Sequence, residues 1–427
     1  MPKIAGALSL VFVLAGAYLP YDGTLRKEPP AIAAGAAGGA APSPGLDARA
    51  RALAGRVIIV DGHVDLPYRL YRSRDKDGKL AENVAERTAM GDFDYPRARA
   101  GGLDAAFMSI YVPARYQTEG GARAFADDLI DIVEGVIRSA PDKFARAYSA
   151  AEVQRNFAAA KVSLPMGIEN GAALEDDLDS LKHFHKRGVR YVTLTHSRDN
   201  RICDSSFDDR RTWKGISPFG KRVVAEMNRL GVMIDVSHAS DECFRQVVGL
   251  SEAPVVATHS SARAFTPGWE RNMSDPMIRL LAKNGGVIMI NFGSGFVEET
   301  SNRQYVARGD AIDAFRRKHK VDRRDPKTRA FIQQYDSAHP FKFASVEAVA
   351  DHIDHVVKLV GVSHVGLGSD FDGLGDTLPV GLKDASMYPN LFRVLLQRGY
   401  SEADIEKISS GNVLRAWRAV EALARPN

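Results

Sequence analysis

Short apolar runs rich in β-branched residues recur eight times between residues 57 and 367, and this repetition constrains the fold more than any other feature. Polar clusters follow the runs, and amphipathic helical patterns separate several of them, at 125–137, 173–184 and 346–360. Strands that alternate with helices indicate an α/β chain of parallel βαβ units, and eight units indicate a closed (β/α)8 TIM-type barrel. An open doubly wound sheet is the alternative, but no glycine-rich phosphate loop follows the first strand. The predicted strands are 57–60, 105–111, 163–168, 191–194, 232–236, 255–257, 286–291 and 364–367.

Six of the eight predicted strands end in side chains that can bind a metal ion or carry a proton. In such a barrel the active site lies at the C-terminal ends of the strands, so these residues should meet at one rim. A lone histidine at a strand end is usually structural. Here, however, four of the 11 histidines end four different strands and acids end two more, which a shared metal site explains better than chance. The residues are His63 with Asp65, Glu169, His196, His238, His259 and Asp370.

The types of these side chains favour zinc or a similar divalent ion. Imidazoles and carboxylates without a thiolate suit Zn²⁺. The histidines of strands five and six, together with His63 and Asp65, exceed the ligands of one open tetrahedral ion, and Glu169 can bridge two ions about 3.5–4 Å apart. Such a pair lowers the pKa of a shared water and polarises a carbonyl oxygen. The sequence therefore predicts hydrolysis of an amide, an ester or a lactam.

An ordered set of motifs resembles the membrane (renal) dipeptidase family of zinc peptidases, within the amidohydrolase superfamily. The motifs span about 57 to 375, nearly the whole folded part. One short motif would be weak support, whereas an ordered set is strong support. They are DGHVDLP at 61–67, GIENG at 167–171, YVTLTHS at 191–197, the run from GISPFG to LGVMIDVSHAS at 215–240, ATHSSAR at 257–263, RNMSD at 271–275 and GLGSDFDG at 366–373.

This resemblance implies two Zn²⁺ ions per subunit with defined ligands. His63 and Asp65 would bind the first ion, Glu169 would bridge to the second, and His238 and His259 would complete the second.

The resemblance also implies the catalytic and substrate-binding residues. Asp370 would lie beside the first ion, contact the substrate, and move a proton from the attacking water to the leaving amine. His196 would be a donor to the tetrahedral oxyanion rather than a ligand. Arg271 would bind the substrate's free carboxylate with its guanidinium fork. It lies twelve residues after His259, one more than the family spacing, which leaves Arg263 as a rival.

The implied function is a dipeptidase that hydrolyses L–L dipeptides, with L–D dipeptides as a second class, by a metal-bridging hydroxide. The alternative keeps the metal site and hydrolyses β-lactams, lactones or N-acyl amino acids. Arg271 discriminates between the two, because a substrate without a free carboxylate does not need it. A non-enzymatic binding barrel would lack some ligands, but every expected position is filled. The dispersed net charge of +4 does not favour a nucleic-acid partner.

The N-terminus predicts export. Lys3 and the apolar stretch 4–19, closed by Pro20, are typical of a signal peptide or N-terminal anchor over 1–20, although the stretch is short for a spanning helix. Residues 21–46 form an Ala/Gly/Pro-rich linker, and the hydrolase barrel covers 47–427. We therefore expect a periplasmic enzyme, or one tethered to the membrane by residues 4–19 and facing outward. A homodimer is common in the family, but no stretch indicates an interface.

Two features carry no predicted chemistry. The stretch 297–343 is crowded with charge and predicts exposed helices inserted after the seventh strand, which form a solvated face. Cys203 and Cys243 are the only cysteines, too few for a Cys₄ zinc site, and whether they pair depends on geometry.

Overall fold

The computed structural model describes residues 44–322 and 325–425. The predicted signal peptide or anchor and the linker up to residue 43 lie outside the described residues. Within the described ranges, none of the helices combines the length and the apolar character that a membrane span requires.

Ten parallel strands form one sheet, and eight of them close into the expected barrel. In chain order they are β1 Ile59–Val64, β2 Leu103–Tyr111, β3 Phe144–Ala145, β4 Val162–Ser163, β5 Met166–Glu169, β6 Val189–Thr193, β7 Met233–Asp235, β8 Val256–Ser260, β9 Val287–Ile290 and β10 Val365–Leu367. Strand β1 pairs with β2 on one side and with β10 on the other, which closes the ring. This closure excludes the open doubly wound sheet. The short strands β3 and β4 extend the sheet beside β2.

Helices follow the strands and cover the outside of the barrel. They are α1 Pro44–Ala54, α2 Leu66–Arg72, α3 Tyr95–Gly101, α4 Tyr116–Glu119, α5 Ala122–Ser139, α6 Ala150–Ala158, α7 Leu178–Lys186, α8 Pro218–Leu230, α9 Asp241–Leu250, α10 Asp275–Lys283, α11 Ser294–Val297, α12 Glu299–His319, α13 Pro326–Ala338, α14 Val346–Val360, α15 Tyr388–Gln397, α16 Glu402–Glu406 and α17 Asn412–Leu423. The predicted helix 346–360 coincides with α14, and the predicted helix 125–137 lies within α5.

Two predicted elements are interrupted for local reasons. The predicted strand 163–168 is split between β4 and β5, because Pro165 has no backbone N–H to donate to a ladder. The predicted helix 173–184 begins as the 3₁₀ turn Gly171–Leu174 and restarts as α7. Glu175 and Asp176 separate the two with φ of 48° and 64°, a left-handed backbone that no α-helix continues through.

The inside of the barrel is a packed aromatic and aliphatic core that supports the rim from below. Trp417 of α17 contacts Phe107 at a ring-centroid distance of 5.1 Å, and Phe107 contacts Tyr191 at 5.3 Å. All three side chains are fully buried, together with Met289 of β9. Tyr191 packs on Gly167, where an added Cβ would lie 2.1 Å from its ring, so glycine is required there. Packed side chains thus extend from α17 to the C-terminal end of the strands.

The helices α12 and α13 both lie within the charged stretch 297–343 and pack against each other. Phe315 and Phe331 stack across the pair at 4.4 Å, and Arg308 forms an ion pair with Asp336. Elsewhere in the fold, the two cysteines are buried free thiols in contact with each other.

Candidate metal centre

The strand-end residues selected from the sequence converge at the C-terminal rim of the barrel. Each is placed there by the end of a strand or by the turn directly after it, and six strands contribute. All are buried, with exposed fractions of 5% or less. They are His63 and Asp65 at β1, Glu169 at the end of β5, His196 after β6, His238 after β7, His259 in β8 and Asp370 after β10.

Glu169 lies at the centre of this cluster and turns its two oxygens to opposite sides. Its Oε2 is 3.4 Å from Nε2 of His63, which is itself 3.5 Å from Oδ2 of Asp65. Its Oε1 is 3.1 Å from Nε2 of His238 and 3.4 Å from Nε2 of His259. A carboxylate that faces imidazoles on both sides has the arrangement of a bridging ligand.

Three overlapping groups of ligand atoms each lie within 4.8 Å of one another. Two groups share Glu169 and two share His63, an overlap that two adjacent cations explain better than one. The groups are His63 with Glu169 and His259, Glu169 with His196 and His238, and His63 with Asp65 and Asp370.

The hydroxyl of Tyr191 fixes which nitrogen of His63 is available to a metal. It lies 3.0 Å from Nδ1 of His63 and 3.3 Å from the carbonyl oxygen of Gly62. Because the carbonyl only accepts, the hydroxyl donates to Gly62 and accepts from Nδ1–H of His63. In the neutral ring the lone pair of His63 is therefore on Nε2, a buried atom with no hydrogen-bond partner among the described residues. Such an atom beside two carboxylates fits a metal ligand.

Thr258 orients His259 in the same way. Its Oγ1 donates to Oδ2 of Asp235 at 2.7 Å and lies 2.9 Å from Nδ1 of His259. Since the single hydroxyl hydrogen is directed to Asp235, Oγ1 accepts from Nδ1–H of His259. The Nε2 lone pair of His259 then points into the cluster, 2.9 Å from Nε2 of His238. Two imidazole nitrogens this close need a proton or a cation between them.

Burial keeps three of the imidazoles neutral. It lowers the pKa of His196 to about 4, holds that of His238 well below its ordinary value, and also lowers that of His259. A neutral imidazole is the form that binds a metal ion.

In the other half of the cluster, the charged forms of Glu169 and His63 stabilise each other. Burial by itself would raise the pKa of Glu169, but His63, His196 and hydrogen bonds from the other histidines outweigh it and hold that pKa well below its usual range. Burial would lower the pKa of His63, yet Tyr191, Glu169 and Asp65 outweigh it and raise that pKa well above its ordinary value. A site that attracts a proton so strongly is also suited to a divalent cation, which fits the donor set.

Asp370 is held against His63 by backbone and side-chain contacts. Its φ is 62°, its N–H donates to the carbonyl of His63 at 3.1 Å, and Asn291 Nδ2 donates to its Oδ2 at 2.7 Å. Gly373 closes the same turn: an added Cβ would lie 2.2 Å from Oδ2 of Asp65 and 2.5 Å from Oδ1 of Asp370. Only glycine lets the turn approach both carboxylates so closely.

Arg271 lies within the cluster. It is 3% exposed, donates to Ser260 Oγ at 2.9 Å and to the carbonyl of His259 at 2.8 Å, and has Nη2 3.2 Å from Nε2 of His238. Its Nε–H is buried without a hydrogen-bond partner among the described residues. An orphan donor of this kind is costly unless an acceptor arrives from outside.

Arg263, the rival carboxylate binder, has different partners. Its two Nη atoms donate to the carboxylate of Asp241 at 2.8 and 2.5 Å, and its Nε donates to the carbonyl of Asn272 at 2.7 Å. The guanidinium is thereby committed to holding the loop after β8, whereas that of Arg271 reaches the histidines.

His196 lies almost as close to Glu169 as the expected ligands do. Its Nε2 is 3.5 Å from Oε1 of Glu169, and its ring lies 4.3 Å from that of His238 and 4.8 Å from that of Tyr111. The geometry is thus compatible with a metal ligand as well as with a hydrogen-bond donor.

The sequence reasoning missed the side chains that orient the ligands. Tyr191, Asp235 and Thr258 lie inside the motifs quoted above, but only their histidine and carboxylate neighbours were selected. Asn291 lies in none of the motifs. It ends the predicted strand 286–291, and a polar residue at that otherwise unassigned strand end was the available signal.

Comparison with known proteins agrees with this geometry. The sequence profile of the membrane dipeptidase family (peptidase family M19) matches residues 47–427. The chain belongs to the membrane dipeptidase family. Dipeptidase aclJ of Aspergillus oryzae is 34% identical over 378 residues, covering 87% of this chain and 80% of the relative. The family match confirms the expected family, the hydrolase class and its dipeptidase type.

Solved structures of a probable dipeptidase and of a metallopeptidase share the barrel. The probable dipeptidase PvdM of Pseudomonas aeruginosa superposes with a TM-score of 0.75 at 30% identity, over 90% of this chain and all of that one. A metallopeptidase from Rhodobacter sphaeroides, liganded with a phosphinate mimic of the dipeptide L-Ala-D-Ala, superposes with a TM-score of 0.67 at 27% identity, over 85% of this chain and 99% of that one. These likenesses confirm the predicted TIM-type barrel.

Proposed function

We propose that this chain is a zinc-dependent dipeptidase that binds two Zn²⁺ ions per subunit and hydrolyses L–L and L–D dipeptides. The observation that carries the proposal is the buried position of Glu169, with one oxygen toward His63 and the other toward His238 and His259. Two ions bound there would supply an acidic shared water and a polarised scissile carbonyl.

The ligand sets follow the two sides of Glu169. His63 and Asp65 would hold the first ion, and His238 and His259 the second. The close approach of His259 to His63, with ring centroids 3.7 Å apart, is consistent with two ions held near each other.

Three other side chains would perform the remaining steps. Arg271 binds the substrate's carboxylate, which gives its orphan Nε–H an acceptor. Asp370 moves the proton from water to the leaving amine; because Asn291 holds its Oδ2, the proton travels on Oδ1. His196 is neutral at pH 7, since burial lowers its pKa to about 4, and it donates one N–H to the developing oxyanion.

The position of Arg271 favours cleavage of the C-terminal peptide bond, which in a dipeptide is the single peptide bond. Its guanidinium reaches within 3.2 Å of His238, so a carboxylate bound by it lies beside the metal ligands. Only a substrate whose free carboxylate is one residue from the cleaved bond can fill both places. The L–D class is supported by the Rhodobacter sphaeroides relative, which binds a mimic of L-Ala-D-Ala.

Export completes the proposal. The signal-like residues 1–20 would direct the barrel to a periplasm or leave it tethered outside the membrane. Cell fractionation with and without these residues tests this point.

The decisive experiment assays the full chain against L–L and L–D dipeptides, their C-terminal amides and a β-lactam, before and after chelation and with zinc restored. Dipeptide hydrolysis that is lost on chelation and returns with zinc is the expected result. Fully metallated protein that cleaves only the amides or the lactam would contradict the dipeptide assignment.

Matched variants then test the residue roles. Arg271→Gln should lower kcat/KM for dipeptides far more than Arg263→Gln, if the latter folds. His196→Gln should lower kcat by about 10²–10³-fold while two ions remain bound. Loss of one ion from His196→Gln would instead identify His196 as a ligand.

A further inference from the structure

His352 is a buried imidazole outside the metal cluster whose hydrogen bonds fix a single tautomer. It lies on α14, and its side chain is fully buried. Its Nδ1 accepts from the backbone N–H of Ala262 at 2.9 Å, so Nε2 carries the hydrogen, which is donated to the carbonyl of Val297 at 3.2 Å. Burial lowers its pKa to about 3, which keeps this neutral form at working pH. The ring of Phe265 packs on it at 4.3 Å.

The first partner, Ala262, belongs to the backbone ladder that carries Arg271. The N–H of Arg263 donates to the carbonyl of Met273 at 2.8 Å, and the N–H of Met273 donates to the carbonyl of Ser261 at 2.8 Å. Arg271 lies two residues before Met273. Its backbone is therefore fastened to the segment that His352 grips.

The second partner, Val297, belongs to the segment that supports the guanidinium of Arg271. The ring of the adjacent Phe296 lies 5.2 Å from the Arg271 guanidinium carbon in a cation–π contact. Asn272 Nδ2 donates to the carbonyl of Phe296 at 2.8 Å and so links the two segments directly. His352 thus binds both segments between which Arg271 is held.

We propose that His352 is a positioning residue that sets the place of the Arg271 guanidinium and thereby the enzyme's selectivity for a free C-terminal carboxylate. This proposal rests on the proposed function of Arg271. His352 touches neither the metal ligands nor the substrate; it acts through its two backbone hydrogen bonds. Without them the segments carrying Ala262 and Val297 can separate. A displacement of about 1 Å at a substrate-orienting group can cost about 10²-fold in rate.

The test compares each dipeptide with its C-terminal amide in the zinc-loaded full chain. His352→Phe keeps a flat ring and removes both hydrogen bonds, and we expect it to raise KM for the dipeptide about tenfold or more. Its kcat should change less, and its kinetics on the amide should stay near the wild type. His352→Asn, which retains an acceptor toward Ala262, should recover part of the selectivity. If His352→Phe does not fold, the ratio of activity on the dipeptide to activity on its amide in His352→Asn and in His352→Gln tests the proposal instead.

A double variant shows whether His352 acts through Arg271. We expect Arg271→Gln to abolish the preference for a carboxylate, and His352→Phe to add no further loss in that background. Losses that multiply, or a folded His352→Phe with an unchanged acid-to-amide ratio, would overturn the proposal. His364→Phe is the control, because it removes a histidine bond to the carbonyl of Gly286 at the opposite end of β10 and should leave the ratio unchanged.

Failure of the proposed function gives a different result. A wild-type enzyme that shows no preference for the carboxylate, or an Arg271→Gln variant that keeps it, would refute the role of Arg271 and the role of His352 with it. A wild-type preference that survives in all His352 variants refutes only the positioning role.

Discussion

Replacing Tyr191 with phenylalanine should weaken zinc binding at His63 without disturbing the barrel. The phenyl ring keeps its packing on Gly167 and Phe107, and only the hydroxyl 3.0 Å from Nδ1 of His63 is lost. Once the hydroxyl is gone, His63 of the metal-free variant can release the hydrogen on Nδ1 and keep the one on Nε2, which faces the carboxylates. Binding an ion at Nε2 forces the hydrogen onto Nδ1, where it has no acceptor, so the whole penalty appears in the metal affinity.

The size of this penalty follows from the buried, unpaired N–H. Leaving such a group without a partner costs about 1–3 kcal/mol, which at about 1.4 kcal/mol per tenfold corresponds to an affinity about 5- to 150-fold weaker. This range includes the roughly 10- to 100-fold losses typical of residues that orient metal ligands. Thr258 and His259 are untouched, so the second ion should keep its affinity.

Competition of the apo-protein with a chromophoric zinc chelator measures both affinities, and titration gives the stoichiometry. Tyr400→Phe is the matched control, because it removes a hydroxyl that donates to Asp354 at 2.7 Å outside the metal cluster. Two ions bound to Tyr191→Phe with wild-type affinity would refute the assignment of the His63 tautomer.

Three further perturbations test other parts of the fold. Gly373→Ala should abolish activity and binding of the first ion, because its Cβ would lie 2.2 Å from Asp65 Oδ2 and 2.5 Å from Asp370 Oδ1. Gly249→Ala, whose Cβ would have nothing within 4 Å, should remain active. The bound metal content and the turnover rate of both variants test this prediction. Asp104→Asn should raise the melting temperature at pH 8 but not near pH 4, because burial raises the pKa of Asp104 to about 7. The folded state therefore holds this proton more tightly than the unfolded chain, and a contribution of at most about 4 kcal/mol is lost as pH rises through 7; equal shifts at both pH values would contradict this. Chelation should lower the stability, and free zinc at 100 times its Kd should restore about 2.7 kcal/mol per site, measured by denaturant titration; metal-independent unfolding would argue against a preformed site.

The ligand residues were predictable because a parallel barrel imposes one simple rule. Its strands all end at the same rim, so polar side chains at strand ends must meet whatever their separation in sequence. His63 and Asp370 are distant along the chain, yet each follows an apolar run that any sheet would bury. Where a predicted element was interrupted, the cause was a local backbone feature. Pro165 splits a predicted strand, and the left-handed backbone of Asp176 interrupts a predicted helix.

The residues that orient the ligands were not predictable, because nothing local marks them. Tyr191 occupies a buried position of β6, as an ordinary apolar core residue does. Its hydroxyl contacts His63, which lies 128 residues away in sequence. Thr258 similarly reads as a β-branched strand residue, although its hydroxyl connects Asp235 to His259. Each contact depends on the register between separate strands, which periodicity does not encode.

The same dependence on register bears on how two ions would be shared among the candidate ligands. The resemblance paired His259 with His238, whereas the ligand atoms also group His259 with His63 and Glu169, and His196 with His238. These alternatives differ by ångström-scale displacements of rings whose positions are set by the backbone, including the left-handed φ of 67° at His238. Sequence motifs identify which residues would surround the proposed metals, but the division of those residues between two ions would depend on the turns that follow β7 and β10. Substitutions in these turns that leave the candidate ligands in place should therefore change the relative affinity of the two ions.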